Sequence, residues 1–183
     1  MEASWDEPLA ERVERAIRIV PDFPRPGIRF RDISPVAQGD PNLFRAVIES
    51  IAGFCAPHAP DCIVAVESWG YIFAAPVAYV VGSRLCLARR PGRLPRETFR
   101  ETFDMSYAQE RSLAIQGEAI RAGDRVIVID DVIASGESAL AAVSLVEKAR
   151  GGCIGVACLA GFPEWGIRRI LDRGIPVHAI GRL

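Results

Sequence analysis

Short apolar runs rich in β-branched residues alternate along the chain with longer amphipathic stretches. The apolar runs, which predict β-strands, are residues 62–66, 84–88, 126–129, 154–159 and 177–180. The amphipathic stretches, which predict helices, are residues 9–20, 43–54, 71–81 and 139–149. Strands that are apolar on both faces suit a sheet covered by helices on both sides. The alternation therefore predicts a single α/β domain over residues 1–183, doubly wound around a mostly parallel sheet.

Two stretches interrupt the alternation. Residues 21–27 contain three prolines and a glycine, so an extended or turning segment is expected there. Residues 91–109 are rich in Arg, Pro, Thr and Phe and predict a long irregular loop. Because long loops inside compact domains are usually functional, this loop is a candidate part of a binding site.

Positive and negative charges are nearly balanced. The chain has 22 basic and 23 acidic residues, and its formal net charge is −1. No overall field therefore attracts a nucleic acid or an anionic membrane, and we expect neither as a partner. Any anion that the protein binds must be held by a local site.

The cysteines indicate a reducing environment. They are odd in number and form no CxxC pair: Cys55, Cys62, Cys86, Cys153 and Cys158. Three of them stand in apolar runs, so we expect reduced core residues in a cytoplasmic protein. The acidic N-terminus lacks the apolar segment of a signal peptide, and no apolar run reaches membrane-spanning length.

One segment combines a strand, two acids and a loop of small residues. The strand at 126–129 ends in Asp130 and Asp131, and a helix follows after a loop made of Ala134, Ser135, Gly136, Glu137 and Ser138. The acids therefore belong to the carboxyl edge of the sheet, where open α/β proteins bind ligands. The start of the helix offers free N–H groups and a favourable dipole to an anion. The segment predicts a ribose 5-phosphate site, with phosphate in the loop and hydroxyls on the aspartates.

A simpler interpretation is that the acids only end the strand and that Ser135 or Ser138 only caps the helix. The complete string of strand, paired acids, small loop and helix favours the ligand site.

The segment resembles the phosphoribosyl pyrophosphate motif of type I phosphoribosyltransferases, in which a strand and two acids precede Ala-Thr-Gly-Gly-Thr. Other motifs narrow the resemblance to the adenine phosphoribosyltransferase family. Pro21-Asp22-Phe23-Pro24 and Phe30-Arg31-Asp32-Ile33-Ser34 resemble its N-terminal signature, and residues 89–95 resemble its basic loop. The likeness covers roughly residues 11–160 in unbroken order.

The resemblance implies a fold with a small N-terminal hood, at about residues 1–36, and a flexible lid at 91–114. It also implies a homodimer that transfers phosphoribosyl from phosphoribosyl pyrophosphate to a purine, adenine first of all, giving AMP and pyrophosphate. Magnesium would be the cofactor. It would be bound through the substrate, with no direct protein ligand, as suits its preference for keeping water.

The resemblance also assigns roles to residues. Asp130 and Asp131 would be catalytic and hold the ribose, and Phe30 and Arg31 would bind the base. The pyrophosphate would be bound by Ser68, Trp69, Arg90 and Arg93, and the family places a non-proline cis peptide at Glu67-Ser68. From the residues alone, Phe30 could also be an ordinary core aromatic, and the arginines part of a solvated loop.

The chain departs from the family pattern on the pyrophosphate and base sides. Trp69 stands where the family has an arginine, and the usual lid glutamate is replaced by Ser106. Another acid is lost at Ala114. Glu110 is the candidate to replace the lid carboxylate in catalysis, and its alternative is plain surface charge.

Glu137 stands in the phosphate loop where the family has a glycine. A left-handed backbone at this residue would cost about 1–2 kcal/mol. Its carboxylate at ~6 Å from a phosphate would cost roughly 3 kcal/mol per unit charge at an effective dielectric of ~20. We therefore expect the Glu137 side chain to point away from the phosphate.

Three hypotheses for the function follow. The first is transfer of phosphoribosyl to adenine. The second is a divergent phosphoribosyltransferase with another acceptor, in a pocket reshaped by Trp69 and Ser106. The third is a non-catalytic regulator that binds a nucleotide or a related phosphate.

Overall fold

The computed structural model describes residues 7–105 and 108–183, with side chains for 8–103 and 111–183. The helices are Glu7–Ala16 (α1), Ser34–Gln38 (α2), Pro41–Cys55 (α3), Gly70–Val81 (α4), Glu137–Lys148 (α5) and Arg168–Leu171 (α6). The strands are Arg18–Pro21 (β1), Arg29–Asp32 (β2), Cys62–Val66 (β3), Arg84–Ala88 (β4), Thr98–Met105 (β5), Ala108–Gln116 (β6), Arg125–Ile133 (β7), Gly152–Gly161 (β8) and Val177–Arg182 (β9). A 3₁₀ turn spans Ala56–His58, and a π-helical turn spans Pro163–Ile167.

The central sheet has five strands in the order β4-β3-β7-β8-β9, and neighbouring strands are parallel throughout. From β3 the chain first crosses to β4 on one side and later to β7 on the other. The strand order therefore reverses between β3 and β7, and such a switch point opens a crevice at the carboxyl ends of the strands.

Helices cover both faces of the sheet. Val64 and Val128 pack in one apolar cluster with α5, whereas Ile63 and Ile127 pack in the other with α3 and α4. Alternate residues of a strand point to opposite faces, so both faces must be apolar. The doubly wound α/β fold predicted from the apolar runs is confirmed.

The predicted first helix is too long. It ends at Ala16, and β1 pairs antiparallel with β2, with Val20 opposite Phe30. Two causes favour the extended strand: Ile19 and Val20 are β-branched, and Val20 precedes a proline, which disfavours helical backbone there. The other predicted helices and the five predicted strands of the sheet are confirmed, with small shifts at their ends.

The stretch predicted to be an irregular loop instead contains most of a two-stranded antiparallel ribbon, β5–β6, with Phe99 opposite Ile115. Ile115 and Leu113 are buried, and Phe103 packs against the α5 cluster. The ribbon is stabilised by this tertiary contact, which the local pattern of polar residues does not reveal.

No helix in the described ranges has the length and apolarity that a membrane crossing requires.

Candidate active site

A cavity of about 730 Å³ opens at the switch point between β3 and β7. The predicted site residues among its lining residues are Phe30, Ser68, Trp69, Arg90, Asp130, Asp131 and Ser138. Lining residues that were not predicted include Glu67, Arg100, Phe103, Arg111 and Ser112. Seven of the thirteen residues that the sequence assigned to the ribose phosphate, the pyrophosphate and the base therefore share one cavity.

The paired acids lie just past the carboxyl end of β3, whose Ala65 pairs with Ile129. β7 does not end at the acids, as the sequence had suggested, but continues to Ile133. The reason is that β8 continues alongside it, with Ile133 opposite Gly161. On one side of β7 the acids are flanked by β8, and on the other side they lie beyond the last residue pair of β3 and β7.

The two acids differ in environment. Asp130 is 2% exposed, its Oδ1 accepts a hydrogen bond from the Asp131 backbone N–H at 2.9 Å, and its Oδ2 accepts one from Ser138 Oγ at 2.8 Å. Burial, followed by the neighbouring charge of Asp131, raises the pKa of the Asp130 carboxyl well above its usual value. Asp131 is half-buried and is the more accessible carboxylate.

Ser138 was predicted to donate its hydroxyl to the phosphate, but the hydroxyl donates to Asp130. The reason is position: Ser138 is the second residue of α5, five residues after the end of β7, and its side chain reaches back to the buried carboxylate.

The phosphate loop bends at Gly136, whose φ is 82°. Glu137 is the first residue of α5, so the predicted left-handed strain at Glu137 does not arise. A Cβ on Gly136 would lie 2.9 Å from Gly166 O, and one on Gly166 would lie 2.4 Å from Ala134 O. The loop therefore packs, backbone against backbone, on the π-helical turn.

Glu137 points to Arg169 of α6. Arg169 Nη1 lies 2.6 Å from Glu137 Oε1 and donates to Ser135 O at 2.7 Å. Ala134, Ser135, Gly136 and Glu137 do not line the cavity itself, although Ser138 does. Ser135 is buried because the loop packs on the segment after β8.

The loop after β3 carries a non-proline cis peptide between Glu67 and Ser68. The Glu67 carboxylate accepts the Arg90 backbone N–H at 2.6 Å and lies 3.4 Å from Arg90 Nε. The sequence placed Glu67 only at the cis peptide and did not assign it the contact with Arg90. Trp69 lines the cavity and also packs partly in the α3–α4 apolar cluster.

Besides the four loop residues, two further residues that the sequence assigned to the site, Arg31 and Arg93, lie outside the cavity lining. The Arg31 guanidinium stacks over Phe162, 5.4 Å from the ring centre, and Arg93 contributes its carbonyl to Arg89 Nη1 at 3.2 Å. Phe30 is 41% exposed, so it is no core aromatic. Its ring contacts Phe23 edge-on at 5.1 Å.

Arg100 and Arg111 reach the cavity from the ribbon, and Arg100 Nη2 donates to Ser112 Oγ at 3.0 Å. The sequence assigned neither to the site: Arg100 lies in the stretch predicted to be irregular, residues 91–109, and Arg111 lies just beyond it. The candidate catalytic Glu110 and the departure at Ser106 lie outside the residues whose side chains are described.

Comparison with known proteins identifies the family. The model of the phosphoribosyl transferase domain matches residues 40–172. An adenine phosphoribosyltransferase from Anaeromyxobacter sp. (strain Fw109-5) is 46% identical over 170 residues, which cover 93% of this chain and 94% of that protein. One from Anaeromyxobacter dehalogenans (strain 2CP-C) is 43% identical over 152 residues, covering 83% of this chain and 87% of that protein.

Solved structures agree with this result. Adenine phosphoribosyltransferase from Rhodothermus marinus superimposes with a TM-score of 0.88 at 36% identity, over 97% of this chain and 100% of that one. The Saccharomyces cerevisiae enzyme, solved with an imino-altritol bisphosphate and adenine, has a TM-score of 0.83 at 30% identity, over 94% of this chain and 98% of that one. With its strand order and paired acids at the switch point, the chain belongs to the phosphoribosyltransferases and, among them, to the adenine phosphoribosyltransferase family.

Proposed function

We propose that this protein transfers the 5-phosphoribosyl group of phosphoribosyl pyrophosphate to adenine, giving AMP and pyrophosphate, in purine salvage. The observation that carries the proposal is one cavity that joins the Asp130–Asp131 pair to arginines and an exposed aromatic ring. The yeast relative, solved with adenine and a sugar bisphosphate analogue, supports the assignment of both substrates.

The ribose occupies the side of the cavity at β7, and its phosphate lies next to that side, at the loop that precedes α5. Asp131, the accessible carboxylate, accepts hydrogen bonds from the ribose hydroxyls. Asp130 helps to position Asp131 by accepting its backbone N–H. The phosphate takes N–H groups of the loop from Ala134 to Ser138. Among the described residues of α5, Leu140 is the first whose N–H donates to a backbone carbonyl, that of Gly136, at 2.9 Å. The earlier N–H groups have no acceptor within the helix and are available to an anion.

The pyrophosphate lies between the β3–α4 loop and the ribbon. Ser68, Arg90, Arg100 and Arg111 line this side, and Trp69 packs beside it. Arg90 is already oriented by Glu67. Cations are needed here because the leaving group carries most of the developing negative charge. Arg93 belongs to the same basic loop as Arg90, residues 89–95, and is proposed to contact the pyrophosphate from outside the cavity lining.

In the reaction the C1–oxygen bond to pyrophosphate breaks as a nitrogen of adenine attacks C1, through an oxocarbenium-like ribose. Phe30 stacks on the base, and Arg31, stacked on Phe162, frames the base side. The protein positions both substrates, neutralises the leaving group and excludes water. Glu110 is the proposed lid carboxylate that assists the base.

Magnesium is proposed as the cofactor that enters with the substrate. Among the described residues no group of three or more His, Cys, Asp or Glu is arranged as a metal cage, whereas the half-buried Asp131 fits a cation that brings its own waters. Asp131 would hold those waters by hydrogen bonds. When bound, the ion neutralises pyrophosphate charge.

Two segments cover the cavity in this proposal. The hood, residues 1–36, contributes Phe30 through the β1–β2 hairpin. The lid, residues 91–114, contains β5 and most of β6, and Phe103, Arg100 and Arg111 are its contribution to the cavity wall.

The protein is proposed to form a homodimer through α4 and the edge strand β4. Large apolar side chains are exposed there: Ile72, Tyr79, Val80 and Leu85. Tyr79 is 89% exposed, so Tyr79→Asp is expected to shift sedimentation equilibrium towards monomer, because a charge in an apolar contact loses its hydration. Unchanged mass for this variant would contradict the interface.

A cytoplasmic location is proposed from the thiols. All five cysteines are free, and burial raises the pKa of Cys55 and of Cys86 to about 12. Such protonated core thiols suit a reducing compartment.

The test of the function is an assay with magnesium, phosphoribosyl pyrophosphate and a panel of bases, in which pyrophosphate release is followed. We expect turnover with adenine, at least about 10-fold above any other base, since a site that hydrogen-bonds one base leaves polar groups unpaired with the others. Turnover only with another acceptor would support the second hypothesis, and binding without turnover the regulator.

A further inference from the structure

Besides the backbone packing of Gly136 on Gly166, the segment after β8 contacts the phosphate loop with the side chain of Arg169 of α6. Its Nη1 atom lies 2.6 Å from Glu137 Oε1 and 2.7 Å from Ser135 O. Glu137 is the first residue of α5, and Ser135 lies in the loop that precedes it. A single guanidinium therefore fixes both the side chain and the backbone of the phosphate loop, from a segment 32 residues further along the chain.

Glu137 lies at the start of α5, where its carboxylate can affect phosphate binding. A carboxylate in the first turn of a helix is attracted to the free N–H groups and the positive end of the dipole. Those groups are the ones that the substrate phosphate must use. Unless Glu137 is held elsewhere, its carboxylate competes with the phosphate and repels it.

Resting on the proposed function, we propose that Arg169 is a positioning residue for the phosphoribosyl substrate. It binds the Glu137 carboxylate on the side of the loop away from the cavity and neutralises its charge, so that the N-terminus of α5 stays open to the 5-phosphate. The glycine contact between Gly136 and Gly166 brings the two segments close enough for this ion pair.

The test measures binding of ribose 5-phosphate by calorimetry, which does not depend on the acceptor base. Arg169→Ala is expected to raise the Kd about 10-fold, because the unpaired Glu137 then opposes the phosphate at close range. In the assay the same variant should raise KM for phosphoribosyl pyrophosphate while kcat and KM for the base change little.

The decisive variant is Glu137→Gln combined with Arg169→Ala. Removal of the carboxylate charge should restore the Kd to within about 3-fold of the unaltered protein, because nothing then competes with the phosphate. If Arg169 only supported the loop backbone through Ser135, the double variant would stay as weak as Arg169→Ala, and that result would overturn the proposal.

Arg173→Ala is a matched control. Arg173 pairs with Glu147 at 2.9 Å, so it links the same two parts of the chain at the other end of α5. It should change the Kd by less than about 2-fold, as expected of an exposed pair. An equal loss in both arginine variants would overturn the specific role of Arg169. Failure of the unaltered protein to bind ribose 5-phosphate would count instead against the proposed function.

Discussion

Replacing Asp130 and Asp131 together by asparagine is expected to lower kcat/KM for phosphoribosyl pyrophosphate by roughly 10²–10⁴-fold. A hydrogen bond to a charged group contributes about 1.5–3 kcal/mol, and a factor of ten corresponds to about 1.4 kcal/mol. Loss of two such interactions gives that range. The measurement is steady-state kinetics, together with calorimetric binding of ribose 5-phosphate.

The double variant should keep its fold. An asparagine at 130 still accepts the backbone N–H of residue 131, and Ser138 can accept from the new amide instead of donating.

The buried Asp130 carboxyl also makes stability depend on pH. Because burial raises the pKa of Asp130, the folded state binds the carboxyl proton more tightly than the unfolded state. The carboxyl therefore destabilises the folded state increasingly as the pH rises above 3.8, the ordinary pKa of an aspartate. Asp130→Asn should gain more in thermal stability at pH 7 than at pH 4.

The matched control is Asp172→Asn, since Asp172 directly follows α6 and forms an exposed ion pair with Arg168 at 2.9 Å. It should stay within about 2-fold of the unaltered protein. Unchanged affinity of the double aspartate variant for ribose 5-phosphate would remove the ribose site from consideration.

Replacing Arg100 and Arg111 together by alanine is expected to lower kcat/KM for phosphoribosyl pyrophosphate by roughly 10²-fold. Both guanidinium groups line the cavity and would form charge-assisted hydrogen bonds with the leaving group. Because both side chains are exposed, solvent screening weakens these hydrogen bonds, and we expect a loss at the lower end of the range for charge-assisted contacts. Ribose 5-phosphate lacks the pyrophosphate, so its affinity should change by less than about 3-fold.

Arg96→Ala tests whether any exposed arginine near the ribbon matters. Arg96 forms an ion pair with Glu118 and lies outside the cavity lining, so its removal should leave the kinetics within about 2-fold. An equal loss of ribose 5-phosphate and phosphoribosyl pyrophosphate binding in the double arginine variant would mean that the ribbon arginines shape the pocket rather than contact pyrophosphate.

Features that depend only on neighbours in the chain were predicted correctly, whereas features that depend on packing or on register were not. Strand β3 was predicted with its correct ends because its pattern, apolar on both faces, depends only on neighbours in the chain. The ribbon β5–β6 was missed because its strands are largely polar and stabilised by packing of Phe103 against the α5 cluster. The loop conformation was misjudged at Glu137 because one residue of register decides which position takes a positive φ.

The sequence by itself determined the doubly wound sheet and the placement of the paired acids at the carboxyl ends of the strands, since both follow from local periodicity and chain order. Only the tertiary structure decided which charges meet. It buried Asp130 while leaving Asp131 accessible, brought Arg100 and Arg111 to the cavity and paired Glu137 with Arg169. Such contacts join residues far apart in the chain, and their geometry depends on how the elements pack against one another.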